Sequence, residues 1–250
     1  MISASTAAYV VAVIFAATIV RTTLGFGEAL VAVPLLALRL PVAVAAPLAV
    51  VVSILIAFLV VVRDWRHVEV RSATWLTIAS LVGIPLGIYL LTHASDHMAK
   101  AVLGAIIAAF GVYAVRGTTS PRLADDDLRW LGAAGFIAGV MGGAYGMNGP
   151  PLAIYGTLRG WPPHRFRATL QAYFLIASLV GATGYATQGL INGQLARYLL
   201  LALPSVAGGV AVGRAVANRM RSEQFVGAVY VGLVLIGIVL FLEGVLGQRV

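Results

Sequence analysis

Ten apolar runs divide the chain, at about 5–20, 25–38, 42–62, 73–92, 98–116, 129–141, 147–158, 165–188, 194–213 and 224–246. A straight helix needs about 20 residues to cross a hydrocarbon core. The third, fourth, fifth, eighth, ninth and tenth runs are long enough. The second, sixth and seventh are short, which fits half-helices, re-entrant hairpins or a thinned pocket better than full spans. The runs are continuously apolar rather than alternating, so they do not describe a β-barrel. Backbone facing lipid must satisfy its own hydrogen bonds, which makes each run a helix. The pattern predicts an all-α integral membrane protein with eight to ten transmembrane segments and one broken or re-entrant pair in each half.

One irregularity occurs twice. Gly25-Phe26-Gly27-Glu28 leads into an apolar run followed by Pro41 and Ala46-Pro47-Leu48. Met147-Asn148-Gly149-Pro150-Pro151 leads into another, followed by Pro163 and Ala168-Thr169-Leu170. Further on, Gly83 and Gly87 correspond to Gly209 and Gly213. Glycine and proline interrupting hydrophobic spans at matching places in two halves point to a transporter's binding site. The division expected is residues 1–120 for the first membrane repeat and 121–250 for the second, within one membrane domain.

Composition agrees with the runs. Of the 250 residues, 60% are hydrophobic and 10% charged, whereas soluble domains carry about 25% charged residues. The formal charge of +8 does not mark a nucleic-acid binder. Its arginines sit in short gaps between apolar runs, where cationic loops meet an anionic leaflet. The chain has no cysteine, which removes disulfides, thiolate metal sites and a cysteine nucleophile. No positive segment precedes the first run, which is therefore expected to be retained rather than cleaved as a signal peptide.

The gaps also predict orientation. With ten segments numbered in order, one side collects thirteen of the 17 Lys and Arg residues, from Arg21 and Arg63 through Arg221. The other side holds Arg39, Lys100, Arg197 and Arg249. The rich side is cytoplasmic, leaving both termini outside. Corresponding gaps of the two halves carry opposite bias, which implies inverted-topology repeats.

The two breaks are the candidate site. Asn148 followed by Gly149 and Pro150 reads as a helix start inside the membrane. Its free N–H groups suit an anion. Gly25, Phe26 and Gly27 form the matching entry in the first half, and two such starts meeting at the midplane make an anion cage. Close helix packing is the competing explanation for these small residues.

Glu28, an acid in an apolar run, is either a proton carrier coupled to substrate or an interfacial residue paired with Arg21 or Arg39. Arg21 is a substrate counter-ion or, more in keeping with its place at a run end, a cytoplasmic anchor. Thr169, Gln171 and Tyr173 either line the pathway or make interhelical hydrogen bonds. His93 and His97 have helical metal-ligand spacing but sit in a turn without a third strong ligand, so no metal or other cofactor is expected. Asp125, Asp126 and Asp127 read as a solvated helix start. Gly135, Gly139 and Gly143 read as a packing ridge, and Trp65, Trp75, Trp130 and Trp161 as an interfacial belt.

At the repeated motifs the chain resembles the sulfite exporter TauE/SafE family. The resemblance rests on Gly25-Phe26-Gly27 with Val33-Pro34-Leu35-Leu36, and on Asn148-Gly149-Pro150-Pro151, which stands where a Gly-rich triplet is usual. It extends from about Val20 to Glu243. It implies movement of sulfite, sulfonates or other small organic anions across the bacterial inner membrane, coupled to protons. The expected function is thus a secondary transporter, with an anion channel or a structural membrane component as the alternative. An enzyme is not expected, because Glu28 is the only acid well inside an apolar run and no histidine lies deep in one. The implied partners are the anion, protons and the lipid bilayer, and the glycine ridges leave a homodimer open.

Overall fold

The computed structural model describes residues 3–64, 68–116, 128–219 and 222–247. Trp65 and Asp125 to Asp127 lie outside the described residues. Those described form ten α-helices and no strands. They are α1 (Ala4–Leu24), α2 (Glu28–Ala37), α3 (Val42–Asp64), α4 (Val70–His93) and α5 (Asp96–Arg116). The second half contains α6 (Leu128–Tyr145), α7 (Gly149–Leu158), α8 (Pro163–Thr187), α9 (Gly193–Arg219) and α10 (Ser222–Leu246).

Length separates two classes. α2 and α7 have 10 residues each, or about 15 Å at 1.5 Å per residue, half of a hydrocarbon core. The other eight have 18 to 27 residues. Among the described residues, five segments are long and apolar enough to cross a membrane: α1, α4, α5, Gly193–Val216 of α9 and Gly227–Leu246 of α10. The sixth run proves longer than its apolar count predicts. α6 continues through Gly142, Gly143 and Ala144 to Tyr145, with Gly143 against Ile84 and Ile88 of α4 and Gly142 against the Asn148 side chain.

Glycine contacts define the packing. A Cβ on Gly83 would meet the Phe136 carbonyl, and one on Gly87 the Val140 carbonyl. α4 and α6 therefore run parallel with their backbones in contact. On the opposite flank, Gly209 meets the Phe15 carbonyl and Gly213 the Ile19 carbonyl, so α9 and α1 run parallel in the same way. Gly104 lies against Gly237 and Phe241, and Gly111 against Tyr230 and Val234, which makes α5 and α10 antiparallel. Small residues permit such approach in a bilayer, where no hydrophobic force drives helices together. Gly135, Gly139 and Gly143 are consumed here, against Leu76, Ser80 and Ile84 of α4. The ridge is thus occupied within the chain.

The two short helices lie in the middle. α2 is buried nearly all round, from Glu28 and Leu30 through Val33, Pro34 and Leu36, as expected of a helix apolar on every face. The Tyr9 hydroxyl donates to the Leu35 carbonyl at 2.5 Å, so α2 folds back along α1. α10, by contrast, exposes Val231, Leu235, Ile238, Val239 and Leu242, an apolar outer face that matches lipid. Trp75 and Trp130 are likewise exposed near the starts of α4 and α6.

Candidate functional site

The break between α1 and α2 is a double left-handed turn. Gly25 caps α1 at φ 84° and Gly27 precedes α2 at φ 94°. Side chains rarely adopt this conformation, so glycine is the residue that makes the reversal possible. At Gly25 a Cβ would also lie 2.6 Å from Cγ of Arg167. The reversal brings Arg21, in the last turn of α1, onto Glu28, the first residue of α2.

Arg21 is 3% exposed and Glu28 is 1% exposed. Nη1 of Arg21 donates to Glu28 Oε2 at 2.7 Å and to Ser53 Oγ of α3 at 2.7 Å. Nη2 donates to Gln171 Oε1 of α8 at 2.6 Å. Gln171 is itself held, since its Nε2 donates to the Gly25 carbonyl at 2.6 Å. The Phe174 ring centroid lies 5.6 Å from the guanidinium carbon. Arg21 thus joins four helices. Arg21 Nε and Glu28 Oε1 are buried without a hydrogen-bond partner among the described residues.

This corrects the reading of Arg21 as a cytoplasmic anchor. Arg21 is buried and its charge is neutralised inside the protein by Glu28, because the Gly25 turn folds α2 back onto the end of α1. Nor is Glu28 interfacial: it pairs with Arg21, while Arg39 stacks over the Tyr9 ring at 4.4 Å.

The second break faces the first. Asn148 stands at the N-cap position of α7, but its side chain makes no cap hydrogen bond. Its Nδ2 instead donates to the Tyr173 hydroxyl at 3.3 Å, which also lies 2.7 Å from Ser80 Oγ. Ser80 Oγ in turn lies 2.6 Å from the Gly135 carbonyl. Pro150 and Pro151 have no N–H, so the start of α7 offers fewer backbone donors than that of α2. The Tyr185 hydroxyl, 3.1 Å and 2.8 Å from the Gly142 and Gly143 carbonyls, closes the end of α6.

Between the two helix starts lies a small cavity of about 20 Å³, enough for one water. Arg21, Gly27, Glu28, Ser53, Asn148 and Gly149 line it, with Phe174 at its wall. Of the residues expected from sequence, Gly27, Glu28, Asn148 and Gly149 meet here. Gly25 and Gln171 are one hydrogen bond away. Phe26 packs edge-on to Phe166 at 6.0 Å, and a Cβ on Gly149 would lie 3.5 Å from its ring. Two others lie elsewhere. Pro150 borders a separate, almost wholly apolar cavity of about 420 Å³ between α5, α6 and α7. The Thr169 hydroxyl accepts from the Glu69 N–H at 3.0 Å and so ties α8 to the start of α4.

Ser53 and Phe174 were not anticipated. Ser53 is the one polar residue between Val42 and Val62, a signal that was legible. Phe174 carries none, since one aromatic among apolar neighbours looks like any other. His93 stacks on Tyr89 at 4.0 Å, and no group of three metal-ligating side chains occurs among the described residues.

The chain is 24% identical over 209 residues to a Cupriavidus necator protein named "Probable sulfite/organosulfonate exporter TauE", covering 81% of each chain. No solved structure matches. The family model described as sulfite exporter TauE/SafE matches residues 10–240. With a central cavity between two half-length helices and a family match over almost its full length, this multi-pass membrane protein belongs to the sulfite exporter TauE/SafE family.

Proposed function

We propose that this protein is a secondary transporter that carries a small anion of the sulfite or sulfonate class across the bacterial inner membrane, coupled to protons. One observation carries the reading: a buried arginine lines a cavity at which two half-length helices begin. A guanidinium recognises oxyanions through a planar fork of donors. At the start of α2, the backbone amides of Glu28, Ala29 and Leu30 precede the first internal bond, from Val31 N–H to the Gly27 carbonyl. Such amides favour negative charge. Asn148 adds an amide from the other half. Glu28 is the proton-coupling residue.

Residues 1–120 and 121–250 form two inverted repeats in this reading. Support comes from equivalent packing, in which α4 meets α6 as α9 meets α1, at matching glycines. The α1–α2 and α6–α7 hairpins then enter from opposite faces and meet at the centre. Rocking of one repeat against the other exposes the cavity alternately. The arginine-rich loops are cytoplasmic.

Proteoliposomes containing the purified protein should be screened with labelled sulfite, sulfoacetate, taurine and small carboxylates. A carrier gives saturable uptake that a proton ionophore abolishes. Unsaturable, ionophore-insensitive flux would establish a channel instead, and no flux of any anion removes the transporter reading.

A further inference from the structure

We infer that Glu28 is a tethered stand-in for the transported anion: its carboxylate occupies the guanidinium site on Arg21 that the anion takes over, and Glu28 accepts a proton as it leaves. The inference rests on the transporter reading above and specifies how that site couples anion to proton.

Three observations converge. The first is the geometry of the pair. Arg21 meets Glu28 through one bond, Nη1 to Oε2, while Nε on one side and Oε1 on the other have no partner among the described residues. A two-point arginine–carboxylate fork is the stronger arrangement. The single bond seen here leaves donor capacity for an oxyanion that bridges two guanidinium nitrogens.

The second is that Arg21 is held independently of Glu28. Ser53 and Gln171 accept from it at 2.7 Å and 2.6 Å, and Gln171 is anchored in turn to the Gly25 carbonyl. When the carboxylate departs, the guanidinium stays in place for its replacement.

The third is space and charge. The cavity of about 20 Å³ takes a water but not an anion with several oxygens around one centre. Admission therefore requires Glu28 to move. The pair is electrically neutral, so an added anion leaves an uncompensated buried charge, which is strongly unfavourable. One proton on Glu28 removes it. The balance is simple: one monovalent anion and one proton enter, Glu28 becomes a neutral acid, and no net charge is added. The protonated carboxyl is also an O–H donor, able to face the anion it has made room for.

The other charged and titratable groups described on the packed helices are engaged elsewhere. On the helices packed around Glu28, Arg167 of α8 is engaged by the Thr23 carbonyl at 3.2 Å. Tyr9 of α1 and Arg39 lie at the far end of α2. Glu243 of α10 pairs with Lys100 of α5 at 2.8 Å, and Asp96 of α5 accepts from the Val42 N–H. Within the cavity the neighbours besides Arg21 are the hydroxyl of Ser53 and the amide of Asn148.

Two assays in proteoliposomes separate the steps. Uphill accumulation driven by a pH gradient needs proton coupling, whereas exchange of labelled for unlabelled anion across an equilibrated membrane does not. Glu28→Gln, which imitates the protonated acid, is expected to lose accumulation at least tenfold yet retain exchange. Arg21→Gln is expected to lose both. Gradient-driven accumulation by Glu28→Gln at the wild-type level overturns the inference, and so does loss of exchange in a Glu28→Gln protein that remains monodisperse. A measurement on the wild type covers the case of a variant that fails to fold. Proton flux, read with an internal pH dye for each anion the wild type carries, is expected at about one proton per monovalent anion. Anion transport without proton flux overturns the inference and with it the proton coupling, while leaving saturable anion carriage at this site intact; absence of all anion transport removes both.

Discussion

The Arg21–Glu28 pair predicts a double-mutant cycle with an unusual shape. Both side chains are almost fully buried and their charged atoms are 2.7 Å apart. Replacing Arg21 by Met strands Glu28 and also removes the donors to Ser53 and Gln171. Replacing Glu28 by Met strands the guanidinium, which keeps those two acceptors. Breaking a buried pair from one side costs roughly 3–5 kcal/mol, because the remaining charge is left without compensation. Replacing both partners by apolar groups of similar volume is often neutral or stabilising. Each single variant should therefore lose about 3–5 kcal/mol, with Arg21→Met the worse. The double variant should be more stable than either, with a coupling energy of at least about 3 kcal/mol. Reversible unfolding in mixed detergent micelles, followed by helix signal, measures all four corners. If the two single effects add in the double variant, Arg21 and Glu28 are not a desolvated pair, and the site built on them fails.

Other predictions test different parts of the molecule. Gly83→Ala places a Cβ 2.8 Å from the Val140 nitrogen and should cost about 1–3 kcal/mol as overpacking; Gly181→Ala, with open space around it, should stay within about 0.5 kcal/mol. The same unfolding assay compares them, and equal effects would refute the close α4–α6 contact. Asn148→Ala and Tyr173→Phe each break the Asn148–Tyr173 link; both should fold, but only Asn148→Ala removes a cavity-lining group and should cut anion flux about tenfold or more, about one RT ln 10 or 1.4 kcal/mol. Wild-type flux in Asn148→Ala would exclude it from the site. The absence of native cysteine makes labelling simple: a membrane-impermeant maleimide should modify Asn192→Cys in intact cells and Arg159→Cys only after permeabilisation, and the reverse pattern would invert the orientation.

Much of this architecture was legible in the sequence. The second and seventh runs, predicted as half-helices at 25–38 and 147–158, are α2 and α7, because glycine and proline act on their own backbone. The sixth run ends at 141 by apolar count, whereas α6 reaches Tyr145, since Gly142 and Gly143 look like an ending until Asn148 and α4 are seen against them. Arg21 was read from its place at a run end, where an arginine ordinarily meets headgroups. Its burial depends on Gln171, 150 positions away, and on Ser53 across another helix. Asn148 stands at the expected helix start without a side-chain cap bond: a cap interaction is local, whereas its link to Tyr173 requires α7 and α8 to meet.

The chain's pattern alone determined that this is a helical membrane protein with two short helices that follow glycine and proline breaks. In lipid each helix must satisfy its own backbone, so spans, breaks and charge bias are written in consecutive residues. Only the tertiary structure decided which polar groups share a cavity. Helix pairing in a bilayer rests on the shape of small-residue faces such as Gly83/Gly87 and Gly209/Gly213. The meeting of Arg21, Glu28, Ser53, Gln171 and Asn148 follows from that pairing, because each sits on a different helix or at a different break.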